Sequence, residues 1–126
     1  MNRPVHFEIH ASDPEKLVAF YTGVFGWNIQ HIPEMNYWFI LTGEGPGIDG
    51  GLLQRRGPAP ADNGTVNGYV CSIHVESVDA SLEKALAAGA TVALPKMTIP
   101  GVGYQVYIKD PDRNLMGLHQ PDKEAK

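Results

Sequence analysis

The sequence predicts an α+β fold made of two βαβββ modules, whose curved mixed sheets lie around a cavity. Three observations predict it. A shift of 64 residues lays Phe7 on Cys71, Ile9 on Ile73 and His10 on His74, the self-similarity expected of a duplicated unit. Each copy opens on a run that alternates polar and apolar residues, the period of a half-buried strand. Each then continues with one amphipathic helical stripe and three short strand-like runs.

Module one is expected over residues 4–55. His6-Phe7-Glu8-Ile9-His10 alternates as its first strand. Ser12 or Asp13 can cap the helix that follows, Pro14 suits the first helical position, and Glu15 favours the positive end of the dipole. Leu17, Phe20, Tyr21 and Val24 form the apolar stripe, and Gly26 ends the helix. Residues 27–32 and 37–42 read as strands around a turn at Pro33-Glu34-Met35-Asn36, and residues 50–55 as a fourth strand.

Residues 56–67 carry Gly, Pro, Ala, Asp and Asn without periodicity and read as a linker. Module two is expected over residues 68–120. Residues 70–75 alternate, with Cys71, Ile73 and Val75 facing the helix, so Cys71 is expected to be buried rather than nucleophilic. Ser77 caps a helix whose stripe is Val78, Leu82, Ala85 and Leu86, and Gly89 suits its left-handed end. Residues 91–94, 104–109 and 115–120 supply three strands. The turn Asp110-Pro111-Asp112-Arg113-Asn114 joins the last two. Residues 121–126 are expected to form a flexible tail of a single 1–126 domain.

Composition limits the function classes. Hydrophobic residues make up 43% of 126 and charged residues 19%, ordinary globular values. No apolar run approaches the ~20 residues that cross a bilayer, so no membrane partner is expected. The start Met1-Asn2-Arg3-Pro4 leads directly into a strand pattern and is expected to hold no signal peptide. A formal charge of -4 with no basic stripe argues against nucleic acid, and Arg55-Arg56 reads as a solvated strand end. A lone cysteine cannot form an internal disulfide, which fits a cytoplasmic protein. Ser-His-Asp spacing, a phosphate loop and a CxxC pair are all absent from the sequence.

Strand parity places polar residues on one face of each module. His6, Glu8 and His10 point away from the first helix, and Val70, Ser72 and His74 from the second, joined by Gln105 and Tyr107. His119 lies on the same face as position 117. These residues (His6, Glu8, His10, Ser72, His74, Gln105, Tyr107 and His119) are the candidate ligand pocket. Glu8 is the candidate catalytic group: a carboxylate in a partly apolar cavity can serve as a general base beside a carbonyl, or else sit solvated at the rim. Trp27, Tyr37, Trp38, Phe39 and Tyr107 offer stacking surfaces or core.

The runs His6-Phe7-Glu8-Ile9, Asp13-Pro14-Glu15 and Phe20-Tyr21-Thr22-Gly23-Val24-Phe25-Gly26-Trp27 resemble the first βα unit of the vicinal oxygen chelate superfamily. That superfamily includes glyoxalase I, extradiol dioxygenases and the bleomycin- and fosfomycin-resistance proteins. Asp110-Pro111-Asp112-Arg113-Asn114 is similar to its Asp-Pro-Asp-Gly-Asn turn, with Arg113 where glycine is usual. The resemblance implies the glyoxalase/bleomycin resistance/dioxygenase fold and a homodimer, which would also cover the sheet faces that the helices leave open.

It also implies a divalent metal held by the first and last strands of each module. The four positions carry over to His6, to Gly50 or Gly51, to Val70 and to Gly117. Only His6 can coordinate, so no metal and no other cofactor is expected. A displaced zinc, nickel, iron or manganese site on the histidines and Glu8 is the alternative. Residues four apart on one strand are about 13 Å apart, which prevents His6 and His10 from sharing an ion directly. Two functions follow. One is a metal-independent small-molecule-binding protein, working by antibiotic-resistance-type sequestration or in an accessory role. The other is a glyoxalase-type lyase or isomerase acting on a small carbonyl substrate, with a relocated metal or none.

Overall fold

The helical stripe of module one folds as its spacing dictates. Helix α1 (Pro14–Phe25) buries Leu17, Phe20, Tyr21 and Val24, and full burial of side chains of this size contributes about 1.5–3 kcal/mol each. Asp13 rather than Ser12 caps it, accepting from the Lys16 N–H, and Gly26 closes it at φ 72°. The structure, a computed structural model, describes residues 3–64 and 68–126. The chain divides into two compact units, Met1–Ala59 and Pro60–Lys126.

In the first unit, strands β1 (His6–Ala11), β2 (Asn28–Ile32), β3 (Tyr37–Leu41) and β4 (Asp49–Gln54) form a sheet in the order β1-β4-β3-β2. β1 runs parallel to β4, and the other neighbours are antiparallel. A 3-10 turn, Pro33–Met35, links β2 to β3 and ends on Asn36 at φ 48°, a conformation asparagine tolerates. α1 packs on β1, β2 and β4, and the core beneath it holds Trp38, Ile40 and Leu52. Trp27 precedes β2 instead of beginning it. Its ring stacks on Tyr21 with centroids 5.1 Å apart and meets Phe7 and Phe25, so it is half-buried at the edge of the core.

In the second unit, β5 (Ser72–His74), β6 (Thr91–Ile99), β7 (Gly103–Lys109) and β8 (Leu115–Pro121) take the order β5-β8-β7-β6, again with a parallel first pair. Helix α2 (Val78–Ala87) is capped by Ser77, whose Oγ accepts from the Ala80 N–H. Val78 and Ala85 are buried as expected, but Leu86 is 42% exposed. The helix packs chiefly on β6, β7 and β8, and a second expectation is corrected at the start of the unit. Cys71 is exposed, and Val70 is 38% exposed ahead of a strand that begins only at Ser72.

β6 is longer than the expected 91–94 because the strand continues through Pro95 with irregular register between Val92 and Met97. As the sheet's edge it tolerates a residue without an N–H. The last residues, expected to be a flexible tail, turn back on the unit: Ala125 is 4% exposed, and its carbonyl accepts from the Gly101 N–H. The expected linker splits between the units. Its residues 65–67 lie outside the described residues, whereas Asp62 pairs with Arg113 at 2.8 Å and the Pro60 carbonyl accepts from Arg113 at 3.1 Å. Arg113 sits at φ 65°, the left-handed geometry that explains glycine's usual presence in such a turn. Arg55 is not merely solvated, since its guanidinium donates to the His10 carbonyl at 3.0 Å.

Candidate functional site

Register decides which side chains share the face opposite each helix. In the first unit Glu8 pairs with Gly51, Phe39 with Gly51, and Tyr37 with Leu53. His6, Glu8, His10, Tyr37 and Phe39 therefore project from the side away from α1. Tyr37 Oη donates to Glu8 Oε2 at 3.2 Å and lies 3.0 Å from His6 Nε2. The single phenolic proton goes to the carboxylate, so His6 Nε2 is the donor to the phenol oxygen. His10 Nε2 stands 4.0 Å from Glu8 Oε1. Burial first, then the hydrogen bond to Glu8 and its negative charge, raise the Tyr37 pKa above its ordinary value. Phe39 is 41% exposed beside this chain.

The second unit repeats the layout with different chemistry. Ser72 pairs with Gly117, His74 with His119, Gln105 with His119 and Tyr107 with Gly117. Gln105 Nε2 donates to Ser72 Oγ at 2.8 Å, and Gln105 Oε1 is 2.8 Å from His119 Nδ1. Gln105 is only 4% exposed. Val106 and Ile108 lie fully buried on the opposite, helix-facing side, as parity requires.

The sheets also show why glycine stands at two central positions. A Cβ on Gly51 would lie 1.8 Å from Tyr37 Oη, and a Cβ on Gly117 would lie 2.4 Å from Gln105 Nε2 and 2.5 Å from Ser72 Oγ. A long polar side chain from the neighbouring antiparallel strand thus covers each glycine and bonds onward to the first strand. Gly50 faces the other way, under Phe7, so Gly51 is the position on the polar face.

The residues at the four carried-over metal positions do not fit a metal centre. Gly51, Gly117 and Val70 offer no side-chain donor, and Tyr37 and Gln105 fill the space in which donors at 51 and 117 would project. Among the described residues, no three His, Cys, Asp or Glu side chains gather into a set that could hold an ion.

Within the first unit the structure thus joins His6 to Glu8 through Tyr37 and places His10 near Glu8; within the second it joins Ser72, Gln105 and His119. His74 and Tyr107 share that second face by register without entering the chain of hydrogen bonds. Sequence reasoning missed Tyr37 as a member of the polar chain and read it as a stacking surface or as core. Parity sets Tyr37 on the face opposite the core residues Trp38 and Ile40, but its meeting with His6 and Glu8 depends on the alignment of β3 and β1 with β4.

Comparisons with known proteins agree with this architecture. Residues 3–43 match the family model described as bleomycin resistance protein-like N-terminal. A Vibrio cholerae protein named probable lactoylglutathione lyase is 27% identical over 131 residues, covering 98% of this chain and 94% of that one. The mycobacterial protein CFP32 of Mycobacterium bovis is 26% identical over 122 residues. These span 95% of this chain but only 46% of that one, so the chain spans about half the length of this relative. Among solved structures, the genomically encoded fosfomycin resistance protein FosX of Listeria monocytogenes superposes with a TM-score of 0.73 at 22% identity, covering 97% and 93% of the two chains. A glyoxalase/bleomycin resistance/dioxygenase family enzyme of Burkholderia phytofirmans gives 0.68 at 19% identity, covering 93% and 97%. Among the described residues no helix is long and apolar enough to cross a membrane. The solved structures show that the paired βαβββ units have the glyoxalase/bleomycin resistance/dioxygenase fold, and the family-model match and the aligned relatives make the chain similar to proteins of the vicinal oxygen chelate superfamily.

Proposed function

We propose that the chain is a small-molecule-binding member of this superfamily that works without the superfamily's metal. One observation carries the reading: at the two inherited ligand positions on the last strand of each unit there is a glycine, and a hydrogen-bonded side chain from the next strand occupies its space. Without donors at these positions, a bound molecule meets hydrogen-bonding groups instead of an ion. The first unit offers Glu8 as an acceptor between Tyr37 and His10, beside exposed Phe39. A carboxylate next to an aromatic surface in a chain of net charge -4 suits a ligand with a planar part and a cationic or hydrogen-bond-donating group. Sequestration or an accessory role follows from binding alone. The sheet faces away from the helices favour pairing of two copies, and a homodimer is part of the proposal.

A second reading, a glyoxalase-type lyase or isomerase with Glu8 as base, is favoured by the Vibrio relatives, whose name denotes such an activity. Three measurements separate the readings. The first is elemental analysis of protein purified without chelators. The second is a thermal-shift series with zinc, nickel, iron and manganese, and the third is a lactoylglutathione lyase assay with each metal. The binding reading expects far less than one metal per chain, no metal-dependent stabilisation and no turnover. One tightly held ion per chain would overturn it. Turnover abolished by Glu8→Gln would establish the second reading.

A further inference from the structure

Gln105 has a consequence for His119 that its place over Gly117 does not require. It is 4% exposed, and its amide is used at both ends: Nε2 donates to Ser72 Oγ, and Oε1 faces His119 Nδ1 at 2.8 Å. A carbonyl oxygen can only accept, so the imidazole Nδ1 must carry the proton. A neutral imidazole has one N–H, which leaves Nε2 as a bare lone pair. Among the described residues Nε2 has no protein partner, and the part-buried ring lies on the polar face beside its register partner His74.

We infer that Gln105 is a positioning residue that fixes His119 as the Nδ1–H tautomer, so that Nε2 is a preset acceptor for an O–H or N–H group of the bound molecule. The lever is that Gln105 is itself held. Ser72 fixes the amide's orientation, and Gly117 leaves it room: a Cβ there would lie 2.4 Å from the amide nitrogen. A surface glutamine would hold the imidazole loosely; a buried one bonded at both ends holds it in one orientation. A preset acceptor selects donors over acceptors on the ligand, because a lone pair facing another lone pair is left desolvated and unpaired. The inference rests on the proposed function only in assigning ligand contact to this face.

The tautomer can be measured without any ligand. Two-bond proton–nitrogen correlation of the five imidazole rings in the full-length, chelator-treated protein at about pH 9, where ordinary histidines are neutral, distinguishes the Nδ1–H from the Nε2–H form. The His119→Asn spectrum identifies the ring. The wild type should show a dominant Nδ1–H form at His119. Gln105→Leu, which removes the acceptor, should convert it to a dominant Nε2–H form. Gln105→Glu, which keeps an acceptor oxygen, should preserve the Nδ1–H form. A purely structural Gln105 would alter the melting temperature in both variants without moving the tautomer. A wild-type ring in the Nε2–H form would mean that the amide points the other way and would overturn the inference on its own, even if Gln105→Leu failed to fold. Stoichiometric metal would sink the proposed function while leaving this result intact, so the two failures are distinguishable.

Discussion

The glycine at position 117 offers the sharpest test of how the polar face is built. In Gly117→Ala the new Cβ would lie 2.4 Å from Gln105 Nε2 and 2.5 Å from Ser72 Oγ, about 1 Å inside ordinary contact distances. If the amide yields, two hydrogen bonds of 2.8 Å are lost at about 1 kcal/mol each, with up to a few kcal/mol more for leaving a buried amide unpaired. If the β8 backbone yields instead, overpacking costs about 1–3 kcal/mol. The amide route gives the larger loss, about 2–4 kcal/mol. Alanine in a strand would otherwise gain roughly 0.5–1 kcal/mol over glycine, so even the sign is informative.

For a chain of this length the loss corresponds to a fall of about 6–15 °C in Tm. Urea unfolding should be followed by far-UV circular dichroism, which reports both units. Both tryptophans, Trp27 and Trp38, lie in the first unit, so their fluorescence shows whether the damage stays in the second. Gln105→Ala combined with Gly117→Ala should recover at least 1 kcal/mol relative to the sum of the single changes, the coupling expected of two residues in contact. An alanine at 117 as stable as glycine, or strict additivity with Gln105→Ala, would refute the steric account. Gly51→Ala should cost less, about 1 kcal/mol, because Tyr37 stands on an exposed face and its ring can swing toward water, where the hydroxyl finds other partners.

Further outcomes follow from individual residues. The raised Tyr37 pKa means that the folded state holds this proton more tightly than the unfolded chain. Its contribution to stability is therefore complete below about pH 10 and declines as pH rises from there; in urea titrations the decline should be shallower in Tyr37→Phe and in Glu8→Gln. Arg113 occupies left-handed backbone at φ 65° while its guanidinium holds Asp62. Arg113→Ala keeps the strain and loses the pair, whereas Arg113→Gly relieves the strain, so the glycine variant should be the more stable of the two by about 1 kcal/mol. Asp110, 3% exposed, accepts from the Asp112 and Asn114 N–H groups and from Asn114 Nδ2; Asp110→Ala should cost about 2–3 kcal/mol. Exposed Cys71 should take one equivalent of a thiol reagent in the native protein, without denaturant.

Local pattern carried most of the fold. The stripe of Leu17, Phe20, Tyr21 and Val24, the caps Asp13 and Ser77, and the alternation of His6 to His10 each depend on neighbours a few residues away, and all are realised. What was not legible depends on pairing between distant segments. Tyr37 joins His6 and Glu8 only because β3 and β1 flank β4 in one register, and no local period reports that. Cys71 has the parity of a buried residue, but it lies ahead of β5, which begins only at Ser72, and is exposed. The expected strand stops at Leu94, whereas β6 runs on through Pro95, which its place at the sheet edge permits.

The covered glycines also constrain how this chain can change. A larger residue at 51 or 117 collides with Tyr37 or Gln105 as long as that side chain stays in place. A donor side chain at either position is therefore two mutational steps away. The order of those steps is fixed: the covering residue must shrink first, through an intermediate with a severed polar chain and an unfilled slot. Because the cover is a phenol in one repeat and an amide in the other, each repeat faces its own barrier. Two copies that began from one template would then drift along separate paths, each held near its present state by a contact the other does not share.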